Sequence, residues 1–235
     1  MNSTFKKNLI YLLSFIIFFF FTSCASTKIK KEKQFLQGII YDYDSEPVSG
    51  AEIFLLKDNS KDPPKSIAYS DVTGHFSITS IKNNAEYTLI SRKKGYEDTS
   101  IHFLLTNTSQ IIYLRMYSYN QLLSIAEEKV SQKDFETAIT YIKRAETADG
   151  SQLSSSYLLA IITYLQGNYN DALSYCQNLL NLGYNDSYIY LLMADIYENG
   201  FNDIEKTIIH LKEYLKRKYN PEVEKRLKIL ELITE

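Results

Sequence analysis

A 34-residue pattern recurs in the second half of the chain and constrains the fold more than any other feature. Phe135 and Tyr169 are 34 residues apart, and Ala138 and Ala172 keep the same separation. Three more alanines follow one another at this interval: Ala126, Ala160 and Ala194. A fixed period of this length is typical of stacked supersecondary units that bury their apolar faces against their neighbours. The second half therefore predicts an array with a long surface, suited to binding rather than to catalysis.

Within each period the apolar residues follow the spacing of three and four that indicates amphipathic helices. Breaks between paired helices are expected at residues 131–133, 166–168 and 199–200. The third unit carries one extra residue, because Thr207 stands 35 residues after Ala172. Asn220 followed by Pro221 predicts the N-cap and first position of a final helix.

This half resembles three tetratricopeptide repeats, at 119–152, 153–186 and 187–220, followed by a capping helix at 221–233. The five alanines stand where that family uses small residues to let paired helices approach closely. Lys133 replaces the usual turn glycine and Thr207 the usual alanine, and the proline that closes many repeats is missing from the first two units. The resemblance implies an α-solenoid that binds protein partners.

In tetratricopeptide arrays the first helix of each unit lines the binding groove. Transferred residue by residue, the resemblance places nine side chains there: Asn120, Leu123, Glu127, Tyr157, Ile161, Tyr164, Tyr188, Leu191 and Asp195. Tyrosines beside acidic and amide groups suit an extended peptide or a helix, with the rings as anchors. Packing of these tyrosines between helices is the alternative interpretation.

From residue 35 to residue 116 the apolar residues follow the period of two that indicates β-strands. Seven short segments are expected as strands: Phe35–Tyr43, Ala51–Leu56, Ser66–Ser70, Phe76–Ile78, Tyr87–Ser91, Ile101–Leu105 and Ile111–Leu114. Their turn punctuation predicts a seven-stranded antiparallel β-sandwich. Asp71-Val72-Thr73-Gly74 predicts a tight hairpin, with Asp71 capping the turn and Gly74 at the positive φ.

This stretch resembles the carboxypeptidase regulatory-like domain, a transthyretin-like β-sandwich. The matching residues lie at 38–42, 47–51, 70–76, 87–89 and 94–96. The resemblance implies no catalytic activity and a structural or binding appendage. Tyr41, Tyr43 and Tyr96 are candidates for stacking on sugar rings, although tyrosine is also simply a good strand residue.

The N-terminus has the features of a secretory signal. Lys6 and Lys7 precede an apolar run at 9–21, which is short for a bilayer span but suits a signal peptide. The run ends at Phe21-Thr22-Ser23-Cys24, which resembles the lipobox of bacterial lipoproteins. That resemblance implies removal of residues 1–23 and acylation of Cys24, with diacylglycerol and palmitate-type chains. An ordinary signal peptide with an incidental cysteine, or a short uncleaved anchor, is the alternative.

Residues 24–34 predict a solvated tether with four lysines. Ala25 follows the cysteine, so the aspartate that retains enteric lipoproteins in the inner membrane is missing. The expected location is the outer membrane of a diderm bacterium, on its periplasmic or surface face.

Charge and motifs exclude several function classes. Loss of Lys6 and Lys7 from 26 basic residues leaves 24 against 28 acidic ones, a net charge of −4, which disfavours nucleic-acid binding. His210 and Glu213 match the H-x-x-E zinc motif, but a third ligand would have to come from the distant β domain. The lone Cys176 predicts a buried apolar residue. We therefore predict no enzyme, catalytic residue, metal site or cofactor.

Together these patterns predict a membrane-anchored lipoprotein that serves as a protein-interaction scaffold or accessory factor in a bacterial envelope assembly. Its partners would be an envelope protein and, through acylated Cys24, the membrane. The alternative is a surface lipoprotein whose β-sandwich binds glycan or another external ligand. A third class, a hydrolase, would require zinc.

Overall fold

The computed structural model describes residues 35–57, 66–79, 81–107 and 110–234. The predicted signal peptide, Cys24 and the tether lie outside the described residues. Within the described part, seven β-strands precede seven α-helices, as the two sequence periods predict. Among these helices, none combines the length and apolarity needed to cross a bilayer.

The strands form two sheets around one core. Their bounds are β1 Phe35–Tyr41, β2 Glu52–Lys57, β3 Ser66–Tyr69, β4 His75–Thr79, β5 Ala85–Arg92, β6 Thr99–Leu105 and β7 Ile111–Arg115. One sheet has the order β4-β1-β7 and the other β3-β2-β5-β6. Alternate residues of both sheets, such as Ile40 and Leu89, enter a single buried cluster. We call residues 35–116 the β domain.

The pairing of β1 with β7 corrects the prediction of an antiparallel sandwich. These strands run parallel, with Gln37 opposite Ile111 and Tyr41 opposite Arg115, so the three-stranded sheet is mixed. Alternating apolar residues indicate a strand and its buried face, but not the direction of its neighbour. Here the first and last strands of the domain become neighbours, and only the completed topology sets their direction.

The predicted turn at Asp71–Gly74 is present but connects the two sheets. Asp71 Oδ1 accepts hydrogen bonds from the amides of Thr73 at 2.8 Å and His75 at 3.0 Å. Gly74 has φ +76°, and a Cβ there would lie 2.3 Å from the Ile40 carbonyl oxygen. The prediction of a hairpin was wrong, because β3 pairs with β2 whereas β4 pairs with β1.

The helices form three helix-turn-helix units and a final helix, which we call the helical array (residues 119–234). Their bounds are α1 Tyr119–Ser131, α2 Phe135–Ala148, α3 Ser154–Leu165, α4 Tyr169–Asn181, α5 Ser187–Ile196, α6 Ile204–Arg217 and α7 Pro221–Thr234. Asn220 Oδ1 accepts from the amides of Glu222 at 2.9 Å and Val223 at 3.3 Å, which confirms the predicted cap of α7.

The alanines that mark the period lie where paired helices meet. All five are fully buried: Ala126, Ala138, Ala160, Ala172 and Ala194. Their small side chains allow close approach, which is how the sequence period becomes a packing period. Around them the core divides into three successive clusters, each formed by neighbouring helices.

The extra residue of the third unit is absorbed by a π-helical turn. Residues Tyr197–Phe201 continue α5 as this turn, and Asn202 then takes the left-handed conformation at φ +50°. The break predicted at residues 199–200 therefore falls later, at Asn202. Gly200 lies so close to α4 that a Cβ would stand 2.5 Å from the Tyr169 ring. A single inserted residue in a helix commonly produces such a π-bulge.

Specific side-chain contacts join the β domain to the array. Arg144 on α2 binds Glu97 with both ends of its guanidinium, at 3.0 and 2.8 Å. The same guanidinium lies 4.9 Å from the ring centroids of Tyr117 and Tyr141. Gln121 Nε2 donates to Asp42 Oδ2 at 2.9 Å. A bidentate pair of this kind fixes orientation as well as distance.

Candidate partner-binding face

Five of the six predicted groove residues of the second and third units lie on one stripe of α3 and α5. Tyr157, Ile161 and Tyr164 are separated by four and three residues, so they share one side of α3. Leu191 and Asp195 are similarly placed on α5. All five side chains are half-buried, with part of each still open to solvent. We call this stripe the first-helix face.

Tyr157 packs between helices at one end of the face. Its ring stacks on that of Tyr184 at a centroid distance of 5.6 Å. Burial raises the pKa of the Tyr157 hydroxyl well above its ordinary value, and the neighbouring Tyr184 adds a smaller increase. This residue therefore stays neutral and belongs mostly to the core of the second unit.

Tyr164 stands where α3 meets the end of α5. Its hydroxyl accepts a hydrogen bond from Asn199 Nδ2 at 2.9 Å, and its ring lies 5.9 Å from that of Tyr169. Burial and the nearby Asp195 raise the pKa of Tyr164. The hydroxyl is thus held in place as a neutral donor and acceptor at the surface.

Arg226 of α7 reaches across to the same point. Its Nη1 donates to Asp195 Oδ1 at 2.7 Å and its Nε to Glu198 Oε2 at 3.0 Å. Burial acts to lower the pKa of Arg226, but the hydrogen bonds to Glu198 and Asp195 outweigh it and the pKa is raised. We call Tyr164, Asp195, Glu198, Asn199 and Arg226 the Arg226 cluster.

A cavity of about 290 Å³ opens beside this cluster, between the end of α5 and α7. Its lining combines charged groups and aliphatic side chains: Glu198, Glu222, Lys225, Arg226, Ile229 and Leu230. The arrangement offers an apolar floor with charged groups at its edge, as sites for single side chains of a bound peptide do.

The other predicted groove residues lie elsewhere. Tyr188 is 42% exposed and turns towards the end of α6, where Lys218 Nζ donates to its hydroxyl at 2.6 Å. Asn120 and Glu127 are exposed on α1. Leu123, between them, packs in the core of the first unit with only 9% of its surface exposed.

The candidate zinc ligands of the hydrolase alternative each contact other residues of the protein. His210 stacks on Tyr197 at 5.3 Å. Hydrogen bonds from Lys216 and Arg217 lower the pKa of Glu213 to about 2. His75 Nδ1 lies 2.8 Å from the Thr73 hydroxyl in the β domain, far along the chain.

Cys176 is fully buried within the second unit, as its position on a repeat helix predicts. Burial raises the pKa of its thiol to about 12, which keeps it protonated and unreactive at neutral pH.

Three residues that complete the site were not predicted as site residues from the sequence: Glu198, Asn199 and Arg226. Asn199 was predicted to lie in a break between helices, and no role was predicted for Glu198 or Arg226. One signal was present: Arg226 is the only arginine of α7 and directly precedes the core residue Leu227. An arginine next to an apolar stripe is well suited to an intramolecular ion pair at its margin.

No protein-family model matches the chain, and no curated protein matches it. Solved structures show limited likeness to it. The N-terminal domain of stress-induced protein-1 from C. elegans is 18% identical with a TM-score of 0.41, covering 48% of this chain and 94% of that one. The TPR2AB-domain:pHSP90 complex of yeast Sti1 is 17% identical with a TM-score of 0.44, covering 49% and 47%.

The Yersinia enterocolitica type III secretion chaperone SycD, in complex with a peptide of the translocator YopD, is a further structure of this kind. It is 15% identical with a TM-score of 0.43, covering 49% of this chain and 94% of that one.

Proposed function

We propose that the protein is a lipid-anchored, non-enzymatic scaffold of the tetratricopeptide type that binds an extended peptide or helix of an envelope protein. The observation that carries this proposal is the Arg226 cluster at the end of the first-helix face. There a hydroxyl, an amide, two carboxylates and a guanidinium meet at a partly open surface. Such convergence beside apolar side chains is what recognition of a polypeptide requires.

The chemistry of the face indicates the kind of segment that it would bind. Ile161 and Leu191 supply half-buried apolar contact, and the Tyr164 hydroxyl and Asn199 amide can pair with a peptide backbone. The two carboxylates outnumber the single guanidinium, so the Arg226 cluster keeps one net negative charge. A partner segment with an apolar residue next to lysine or arginine fits this surface best.

Acylation of Cys24 would restrict the face to a membrane surface. Confinement raises the effective concentration of the array for partners on the same membrane without any new contact. This part of the proposal rests on the lipobox. Incorporation of labelled palmitate into the wild-type chain, and its loss in Cys24→Ser, is the direct measurement; equal labelling of both would refute the anchor.

Site-specific photocrosslinking in cells tests the binding face. A photoreactive amino acid at Asn199 reports on the Arg226 cluster, and the same group at Asn181, which is also exposed, reports on the end of α4. We expect an adduct with an envelope protein from position 199 and none from position 181.

A variant without the two carboxylates links that adduct to the proposed chemistry. Asp195→Asn with Glu198→Gln keeps side chains of the same size but changes the net charge of the cluster from −1 to +1. A basic partner segment should then be repelled, and the adduct at position 199 should be lost. An adduct that survives in this variant, or that forms equally from both positions, would place the partner site outside the first-helix face.

A further inference from the structure

The outward face of the sheet β4-β1-β7 exposes several large apolar side chains. Phe35 is 41% exposed, Ile111 45% and Tyr113 56%. Ile39 and Tyr41 on β1 add half-exposed surface on the same side. Patches of this kind, when they are contiguous, mark contact sites for proteins or membranes.

Strand register makes these side chains contiguous. Ile39 lies opposite Tyr113 on β7 and opposite His75 on β4. Tyr41 lies opposite Arg115, whose guanidinium stands 5.1 Å from the Tyr41 ring centroid. The apolar side chains therefore run along β1 and β7 as one strip that ends at an arginine. We call the outward side chains of these three strands the tether face.

The charge of the tether face is distinctive. Its ten positions alternate with the core positions of β1, β4 and β7, and none of them is Asp or Glu. The outward side of the other sheet also carries an arginine, Arg92, but with the acids Glu52 and Glu86 beside it. In a chain with a net charge of −2, a strip with an arginine and no acid suits a negatively charged partner surface.

The chain enters the domain at one edge of this face, namely the edge at which both β1 and β7 begin. Because β1 and β7 are parallel, Phe35 and Ile111 lie at the same edge, and Phe35 is eleven residues after Cys24. Eleven residues span at most about 40 Å, so an anchor at Cys24 would keep this edge near the bilayer. The helical array begins at the opposite edge, after Arg115.

We propose that the tether face lies on the headgroup region of an anionic bilayer, an inference that rests on the proposed acyl anchor at Cys24. Tyrosine is favoured at the interface between membrane and water, and arginine pairs with lipid phosphates. A weak contact is sufficient, because the anchor already supplies a high local concentration of lipid. The contact would fix which way the array points from the membrane.

Depth-dependent quenching tests this placement without relying on natural acylation. The chain from residue 25 keeps every described residue and can be held on vesicles by an N-terminal hexahistidine tag and a nickel-chelating lipid. The vesicles contain phosphatidylcholine, phosphatidylglycerol and a lipid with a doxyl quencher. Ser77→Cys places a fluorophore on the tether face, and Ser100→Cys places it on the outward side of the other sheet. Both serines are exposed, and the buried Cys176 should not react.

We expect a blue shift and doxyl quenching at position 77, and neither at position 100. Adding Tyr113→Glu, at a well exposed position, should abolish the effect at position 77 by placing a negative charge against the lipid. Equal quenching at both positions, or at neither, would overturn the placement even if palmitate labelling upheld the anchor. A blue shift that grows with protein density without doxyl quenching would instead assign the face to a second copy of the chain.

Discussion

The β domain and the helical array have cores of different kinds. In the β domain one buried cluster includes residues from six of the seven strands, Ala68 of β3 packs against it, and the first strand pairs with the last. In the array the buried residues form three clusters, each shared by helices that are close in sequence. The β domain therefore depends on contacts between distant residues, whereas the array is built from local ones.

This difference has consequences for stability and for folding. Loss of one side chain from the shared β core should weaken every strand, because no strand has a core of its own. An array of local units should lose structure near the altered unit first, as nearest-neighbour behaviour implies. Non-local pairing also makes the β domain the slower part to fold.

Leu89→Ala should have the largest effect. Leu89 is fully buried at the centre of β5, so the substitution is expected to cost about 2–5 kcal/mol in the free energy of unfolding. Amide hydrogen exchange should show protection falling in all seven strands together. Leu104→Ala is the matched control, since Leu104 is 48% exposed and should change stability by less than about 0.5 kcal/mol. Loss of protection limited to β5 and its neighbours would contradict the single-core description.

Arg144→Ala tests whether the two regions are coupled. The change removes the bidentate pair with Glu97 and the stacking on Tyr117 and Tyr141, for an expected cost of about 1–3 kcal/mol. One denaturant transition should then separate into two, reported by strand and helix signals. Arg144→Lys should not restore coupling, because lysine lacks the planar fork.

Lys143→Ala, at the exposed neighbouring position on α2, serves as the control for helix propensity. If Arg144→Ala and Lys143→Ala gave the same single transition, the junction would not couple the regions.

Local patterns in the sequence predicted the elements well, because local chemistry determines them. Asn220 and Pro221 marked the start of α7, and the spaced alanines marked where helices pair. The extra residue before Thr207 predicted an irregularity, although its form, a π turn ending at Asn202, depends on the close approach of Gly200 to Tyr169.

Contacts between distant residues could not be predicted in this way. The parallel pairing of β1 with β7 depends on the path of the whole domain. Arg226, which is 31 residues after Asp195, joins the candidate site from α7, and nothing in the repeat indicates that pairing. The face of each helix is encoded locally, but the partner that completes a site is not.

Lys133→Gly should stabilise the first unit by up to about 1 kcal/mol. This effect is smaller than that of Arg144→Ala and opposite in sign. Lys133 has φ +62°, a conformation that disfavours side chains with a Cβ, and the equivalent turn of the second unit has glycine, Gly167, at φ +78°. Exchange protection should rise in α1 and α2 only. Lys143→Gly, inside α2, should instead destabilise by about 1 kcal/mol. A loss of stability in Lys133→Gly would show that its side chain makes contacts worth more than the backbone strain.

The smallest expected effect concerns pH and the third unit. Burial lowers the pKa of His210, an effect that Glu213 opposes and Lys206 reinforces, and the ring stacks between Tyr190 and Tyr197. The unfolded chain therefore takes up this proton more readily than the folded one. The associated stability is complete above the ordinary histidine pKa of about 6.5 and is lost progressively as the pH falls below it.

Exchange protection of α5 and α6 should thus decrease between pH 7.5 and 5.5 more in wild type than in His210→Phe, which keeps an aromatic ring there. The β domain should respond equally in both proteins, because His210 lies outside its core. Identical pH responses of α5 and α6 in the two proteins would show that carboxylates elsewhere, and not this histidine, govern the acid sensitivity of the unit.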